Sequence, residues 1–526
     1  MPPDEVVTLD LARALLAISH ETGRQVGILV NRVGEVEYVI VGDERSIFIP
    51  ELADYPLGRK LLRGLRLLHT HLKGEALNDD DLTDLALLRF DLLAAISAPA
   101  PDLPPVIQLA HLIVPGSGQH PYRVEQITPL ARFNLNIREF LENLEKELST
   151  GTSASREIAA SEERGILISV TRQTHEEAID SIEELKELAR TANVAVLDTV
   201  IQHPRQFSPR YLMGEGKMRD VVIRALQLGA TMLIFDQELT PAQVRSISEM
   251  TELKVIDRSQ LILDIFARRA TTQDGKVQVE LAQLKYLLPR LVGRGVQMSR
   301  LMGGIGGRGP GETKLEMDRR RIRDRIARLE KDLRELSRGR YQRRQRRIRA
   351  GIPIVSIVGY TNAGKSTLLN ALTASDVFTE NLLFATLDTS TRRLRFPRER
   401  EVIITDTVGF IRSLPKSLLG AFKATLEELR DADLLLHLVD CANPRFAEQI
   451  GQVEAILAEL ELADKPRLLV FNKADLLPEL KKQFPLAVVK VRQVARQTGA
   501  TLVAANDRES LGPLLNEMER RFWPRK

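Results

Sequence analysis

The segment Gly359-Tyr360-Thr361-Asn362-Ala363-Gly364-Lys365-Ser366 constrains this chain more than any other. An apolar run, 352–358, leads into it, and a helical pattern, 367–372, follows. Strand, glycine loop and helix in that order are the context in which G-x-x-x-x-G-K-[ST] builds a phosphate cradle. Glycine lets backbone N–H groups turn inward and approach phosphate oxygens that a Cβ would hold off. The spacing predicts that Gly359, Asn362, Ala363, Gly364, Lys365, Ser366 and Thr367 contact the nucleotide. Lys365 is expected to reach the β- and γ-phosphates and the Ser366 hydroxyl to ligate Mg²⁺.

Downstream runs select the base. Residues 402–405 end in Asp406-Thr407-Val408-Gly409, which places Asp406 to hold Mg²⁺ through water and the Gly409 N–H against a γ-phosphate. Residues 434–439 supply a central strand, and 468–471 lead into Asn472-Lys473-Ala474-Asp475. The Asp475 carboxylate can accept both N1–H and N2–H₂ of guanine. Adenine offers neither, and a buried carboxylate left unpaired costs about 1–3 kcal/mol. The expected nucleotide is GTP.

Ras-like enzymes place a water-orienting Gln just after this glycine, whereas Phe410 stands here and cannot hydrogen-bond water. Turnover is therefore expected to be slow unless metal ions, backbone or a partner organise it. Asn362 occupies the place where related GTPases with an apolar residue at the Gln position hold K⁺, so K⁺ stimulation is a hypothesis. Within Phe384-Ala385-Thr386-Leu387-Asp388-Thr389, Thr386 is the candidate switch threonine for Mg²⁺ and the γ-phosphate, with Thr389 and Thr391 as alternatives.

At 526 residues the chain needs two to four domains. Its single cysteine, Cys441, excludes an internal disulfide framework. No apolar run approaches the ~18 residues that cross a bilayer, and the first residues lack a secretory signal. The expectation is a cytoplasmic protein, monomeric when free. The net charge is only +4, but it is unevenly spread. Residues 315–336 carry apolar positions at helical spacing among many arginines, and 338–349 hold seven arginines in twelve residues. Such a run suits a polyanion: arginine forks onto phosphate and stacks on bases, which favours RNA. A peripheral contact with an anionic membrane is the competing expectation, although the Leu/Phe/Trp face it needs is lacking.

Upstream, residues 303–313 contain six glycines and Pro310 and are expected to form no regular element. They read as the tip of a helical hairpin with arms 277–292 and 315–336. Residues 165–270 alternate strand and helix: strands 165–171, 194–201, 231–235 and 253–256, with helices 181–192, 218–228 and 241–250, giving a small parallel α/β layer. Gly214-Glu215-Gly216-Lys217 opens one helix and is expected to be a tight turn, with a second anion site as the alternative.

Residues 165–526 resemble the HflX GTPases, of the Obg–HflX group of ribosome-associated P-loop proteins. The matching residues include Tyr211-Leu212-Met213-Gly214-Glu215-Gly216-Lys217, Leu287-Leu288-Pro289-Arg290-Leu291 and Gly309-Pro310-Gly311-Glu312-Thr313. The phosphate loop, the Thr386 segment and Asp406-Thr407-Val408-Gly409-Phe410 match as well. The resemblance implies GTP hydrolysis, binding to the large ribosomal subunit and its rRNA, and separation or rescue of stalled ribosomes under stress. The family's guanine-supporting Ser-Ala is here Ala504-Ala505, so a hydroxyl is missing, while the Ala505 N–H is expected to face guanine O6. A last helix over 511–522 is expected, without the further C-terminal domain of some relatives.

Residues 1–150 lie outside that resemblance. Strand signals at 25–31, 36–41 and 45–49 precede Leu67-Leu68-His69-Thr70-His71, with Asn78 and Asp81 beyond, and a helix is expected over 82–96. Histidines two apart on a strand face one side, as a zinc site requires. The pattern is similar to that of JAMM/MPN-type metalloproteases, but it is one residue short and has no glutamate before Gly27.

The fold class expected is α/β. An extra N-terminal α+β domain (1–150) and a linker (151–164) precede a small parallel α/β domain with a helical hairpin (165–350), and a P-loop GTPase domain (351–526) follows. The function expected is that of a GTP-hydrolysing translational factor. A GTP-gated signalling scaffold or metal-dependent hydrolase acting through residues 1–150 is the alternative.

Overall fold

The computed structural model describes residues 1–52, 54–57, 61–98, 104–114, 120–151, 163–291, 311–349, 351–373, 391–396, 400–406, 409–410 and 427–524. Residues Met1–Ala178 and Asn193–Ile256 make one compact unit; Ile179–Ala192 and Asp257–Lys526 make the other.

The first unit opens with the helix Leu9–Thr22, capped by the Thr8 hydroxyl and ended by Gly23 in the left-handed region. Seven strands follow: β1 (Val26–Asn31), β2 (Val36–Val41), β3 (Leu65–His71), β4 (Leu92–Ser97), β5 (Val106–Leu112), β6 (Tyr122–Val124) and β7 (Thr128–Pro129). They form one sheet in the order β2-β1-β3-β4-β5-β6, with β7 against β5. Central β3 lies antiparallel to β1 and parallel to β4, and all its residues are buried. Between β3 and β4 runs the helix Asp79–Leu88, begun by a capping box in which Asn78 and Asp81 exchange hydrogen bonds with each other's backbone.

Two expectations for this region are corrected. The helix expected over 82–96 stops at Leu88, because Arg89 takes a left-handed conformation (φ 55°) and residues 92–97 become the buried strand β4. A short apolar run buried on both faces carries no period to separate strand from helix. Residues 45–49 form no strand; Asp43 turns the chain by accepting the Arg45 and Ser46 N–H groups.

A second sheet in this unit contains β8 (Glu163–Val170), β9 (Val194–Gln202), β10 (Met232–Phe235) and β11 (Lys254–Asp257), in the order β11-β10-β8-β9. The β10–β8 and β8–β9 pairs are parallel, as the alternation of signals predicted. The helix Glu215–Gln227 starts at Gly214, and Pro241–Met250 starts from a Thr240–Gln243 capping box with proline at the first turn. Buried Arg63 donates to Glu252 Oε1 at 2.8 Å and thereby joins the two sheets' layers.

The second unit contains the helix segment 179–191, the helices Arg258–Arg269 and Gln273–Leu287, and a 39-residue helix, Gly311–Arg349. The last two pair through Arg325, which forks onto Glu280 at 2.7 and 2.8 Å, and through Lys285–Glu330 at 2.7 Å. The long helix corrects the expectation for 303–313 at its end, since Gly311–Thr313 are already helical. It also runs unbroken to Arg349, beyond the hairpin arm expected over 315–336. The remaining residues of the glycine segment, 303–310, lie outside the described residues.

A six-stranded sheet follows: β12 (Ile354–Gly359), β13 (Thr391–Phe396), β14 (Arg400–Asp406), β15 (Leu434–Asp440), β16 (Arg467–Asn472) and β17 (Thr501–Leu502), in the order β13-β14-β12-β15-β16-β17. Only β13 runs antiparallel to its neighbour. The near-continuous Val, Ile and Leu of β12, β14 and β15 are what a sheet covered on both faces requires. The helices Lys365–Thr373, Phe446–Glu459, Pro485–Thr498 and Gly512–Phe522 flank it.

Candidate functional site

In an open parallel sheet, ligands gather beyond the carboxyl ends of the strands, and here β12, β14 and β16 end on Gly359, Asp406 and Asn472. Gly359 has φ 156°, and a Cβ there would come within 2.2 Å of the Leu438 carbonyl oxygen. Gly364 has φ 90°, and a Cβ would come within 2.3 Å of Asn472 Nδ2. No side chain fits either place, which is the physical content of the motif's two glycines. Asn362 holds a left-handed conformation (φ 62°) and is exposed at the loop's crest.

Lys365 is buried, and its ammonium donates to the carbonyl oxygens of Tyr360 at 2.8 Å and Gly359 at 3.3 Å. Burial pushes its pKa down to about 8 against the opposing pull of Asp406. Ser366 donates to Asp406 Oδ2 at 2.7 Å, so the two groups expected to serve Mg²⁺ already face each other. The Asp406 carboxylate is fully buried. Thr361 Oγ1 is buried and has no hydrogen-bond partner among the described residues.

Phe410 is zipped to this loop, and Gly409 packs against it. The Thr361 N–H donates to Phe410 O at 2.7 Å, and the Phe410 N–H donates to Gly359 O at 3.1 Å. A Cβ on Gly409 would stand 2.7 Å from Thr361 Cγ2 and 2.8 Å from Lys365 Nζ. Phe410 thus serves through its backbone, with its ring buried. Thr386 and Thr389 lie outside the described residues; Thr391 begins β13, where it pairs with Thr405.

At the base end, Asn472 donates to Ala363 O at 2.8 Å and accepts the Ala505 N–H at 2.9 Å. The Ala505 N–H, expected to face guanine O6, here donates to Asn472 Oδ1. Lys473 is left-handed (φ 61°), with its ammonium 2.7 Å from Asp440 Oδ2. Asp475 follows in a short turn, Ala474–Leu476. The hydroxyl missing at Ala504 is supplied from elsewhere, since the Ala504 N–H donates to Ser510 Oγ at 2.9 Å. Spacing alone gave no signal for Ser510.

Glu184 was also missed. Its Oε2 accepts the Tyr360 hydroxyl at 2.8 Å and its Oε1 accepts Arg258 at 2.5 Å. With Thr361, Asn362, Asn443 and Arg445 it lines a cleft of about 490 Å³ beside the phosphate loop.

A parallel sheet whose central strand ends in a glycine-built cradle with a buried lysine defines a P-loop nucleotide-binding protein. Three family profiles match the chain: "GTP-binding GTPase N-terminal" over residues 179–267, "GTP-binding GTPase Middle Region" over 269–347 and "50S ribosome-binding GTPase" over 354–473. GTPase HflX of Caldanaerobacter subterraneus subsp. tengcongensis is 51% identical over 61% of this chain and 74% of its own length. GTPase HflX of Escherichia coli K12 is 46% identical over 59% of this chain and 72% of its own. Among solved structures, the complex of SsGBP with GDP aligns with 68% of this chain and 98% of its own at 24% identity and a TM-score of 0.39.

The chain belongs to the HflX GTPase family. It binds GTP and hydrolyses it to GDP and phosphate. Among the described residues no helix is long and apolar enough to cross a membrane.

Proposed function

We propose that this chain is a translational factor that docks on the large ribosomal subunit through rRNA contacts and separates or rescues stalled ribosomes according to the nucleotide it carries. The observation that carries the reading is the arginine-laden helix Gly311–Arg349, which ends five residues before the strand that delivers the phosphate loop. Arginine forks onto phosphate oxygens and stacks on bases, so such a helix fits rRNA. The match of residues 354–473 to the family described as 50S ribosome-binding GTPases supports it.

In this reading the loop N–H groups from Asn362 to Thr367 take the phosphates, and Lys365 leaves its two carbonyl partners for the β- and γ-oxygens. Asp475 selects guanine, Asn472 and Lys473 frame it, and Ala504 and Ala505 close the base pocket. Mg²⁺ would be held by the Ser366 hydroxyl and by Asp406 through water, and the pairing of those groups at 2.7 Å fits that role. Thr386 is the switch threonine of the proposal. When bound, the ion supplies charge neutralisation between the β- and γ-phosphates. The Gly409 N–H senses the γ-phosphate, and the neighbouring backbone of Phe410, bonded to Gly359 and Thr361, passes that state to the phosphate loop. Asn362 is proposed to hold K⁺ at the crest of the loop; equal hydrolysis rates in Na⁺ and K⁺ buffers would remove that part.

Co-sedimentation with purified 50S subunits tests the docking. The full chain loaded with a non-hydrolysable GTP analogue should pellet with 50S, and the GDP form should remain largely in the supernatant. Equal pelleting in both states, or none in either, ends the proposal.

A further inference from the structure

A buried cluster in the first unit has no part in GTP hydrolysis. Thr70 on β3 donates to Ser19 Oγ at 2.8 Å on one face of the sheet, so His69 and His71 point to the other. There they meet Asp81, from the first turn of the helix Asp79–Leu88. One ligand atom from each of the three lies within 4.8 Å of the others, and all three side chains are buried. His69 Nε2 stands 3.8 Å from Asp81 Oδ1, and His71 Nε2 stands 3.4 Å from Asp81 Oδ2. Those separations are long for hydrogen bonds. Donors about 2.0–2.1 Å from one tetrahedral ion stand about 3.3 Å apart. The 3.4 Å pair is already near that, and the set as a whole, within 4.8 Å, would draw together around an ion.

Hydrogen bonding points the same way. His69 is fully buried, and among the described residues neither of its ring nitrogens has a hydrogen-bond partner. A buried polar atom left so costs about 1–3 kcal/mol. His71 Nδ1 lies 2.9 Å from the Glu75 carbonyl oxygen, which can only accept. The ring proton therefore sits on Nδ1, leaving the Nε2 lone pair free in the cluster, the arrangement that orients metal-bound histidines. Asp81 is fixed in turn by the Asn78 N–H at 2.9 Å. Gly27, directly across from His69 in the sheet, leaves the room this needs, because a Cβ there would lie 3.3 Å from His69 Cβ.

We propose that His69, His71 and Asp81 hold a divalent transition-metal ion, Zn²⁺ before others, with a fourth position left to water or an anionic group. Two imidazoles and one carboxylate are too few oxygens for Ca²⁺ or Mg²⁺ and suit zinc. The group contains no glutamate, so the proposal is metal binding and not hydrolysis. It is independent of the ribosomal reading.

The test uses the full chain, stripped with chelator, with its nucleotide site filled by GDP and Mg²⁺, and titrated with Zn²⁺ alone. Roughly one zinc per chain should survive gel filtration, and Asp81→Asn and His71→Gln should each weaken binding by at least about tenfold. Co²⁺ in the unsubstituted protein should give the visible absorption of a four-coordinate site without thiolate bands. That measurement needs no variant to fold, and GTP hydrolysis by the variants reports on the other unit. A chain that retains only traces of zinc, or variants that bind it as the parent does, overturns the proposal.

Discussion

The Asn472 carboxamide donates to the Ala363 carbonyl at 2.8 Å, tying the guanine-reading turn directly to the phosphate loop. The same side chain accepts the buried Ala505 N–H at 2.9 Å, so three segments meet on one amide.

Asn472→Ala removes both bonds and strands the Ala505 N–H. The expected loss is about 1–3 kcal/mol of stability, with weaker GDP binding. Urea denaturation with and without GDP measures both. Unchanged stability and affinity would show that the amide does not hold the segments together.

Gly409→Ala should slow GTP hydrolysis by roughly tenfold, because its Cβ would press on Thr361 Cγ2 and Lys365 Nζ at 2.7 and 2.8 Å. The affinity for GDP, which lacks the γ-phosphate, should change much less. Single-turnover hydrolysis beside GDP titration separates the two effects.

The Lys365 ammonium gives a pH dependence whose sign can be worked out. Its pKa without nucleotide lies at about 8, below the ordinary 10.5, so the group loses its proton earlier when folded than when unfolded. Between those values the unfolded chain binds more protons, and this group's contribution to folding stability improves as pH rises. Phosphate selects the charged form, so nucleotide affinity should fall as pH rises through about 8, by at most about tenfold per pH unit. Lys365→Met should bind weakly at every pH with a flatter profile. An equally steep profile in that variant assigns the effect to another group.

Ser510→Ala should loosen the base pocket, since Ser510 Oγ is what the Ala504 N–H donates to. The expected result is GDP affinity lower by about threefold to tenfold, the worth of one hydrogen bond of about 1 kcal/mol. Hydrolysis at saturating GTP should stay close to the parent's. Stopped-flow release of a fluorescent GDP analogue would register the change.

How much of this was legible depends on the range of the interactions. The phosphate loop is local, and strand, glycines and helix follow within about twenty residues, so spacing reveals them. The sheet strands β12, β14, β15 and β16 were readable because their apolar runs end on recognisable polar turns. The switch from helix to strand at Arg89 was not, because burial on both faces of β4 erases periodicity. Strand β13, Thr-Arg-Arg-Leu-Arg-Phe, hid for the opposite reason: it is an edge strand with few buried side chains, held by pairing with β14. Ser510 and Glu184 act on partners brought close only by the fold, and no local pattern announces them.

The unbroken run from Gly311 to Arg349 has a mechanical consequence. At 1.5 Å per residue its 39 residues make a rod about 58 Å long. The end at Arg349 adjoins the strand that feeds the nucleotide site. Tilting such a lever by about 5° at that end sweeps its tip through roughly 5 Å, close to one helical pitch. A small angular change at one end of the rod would thereby become a displacement of several ångströms at the other.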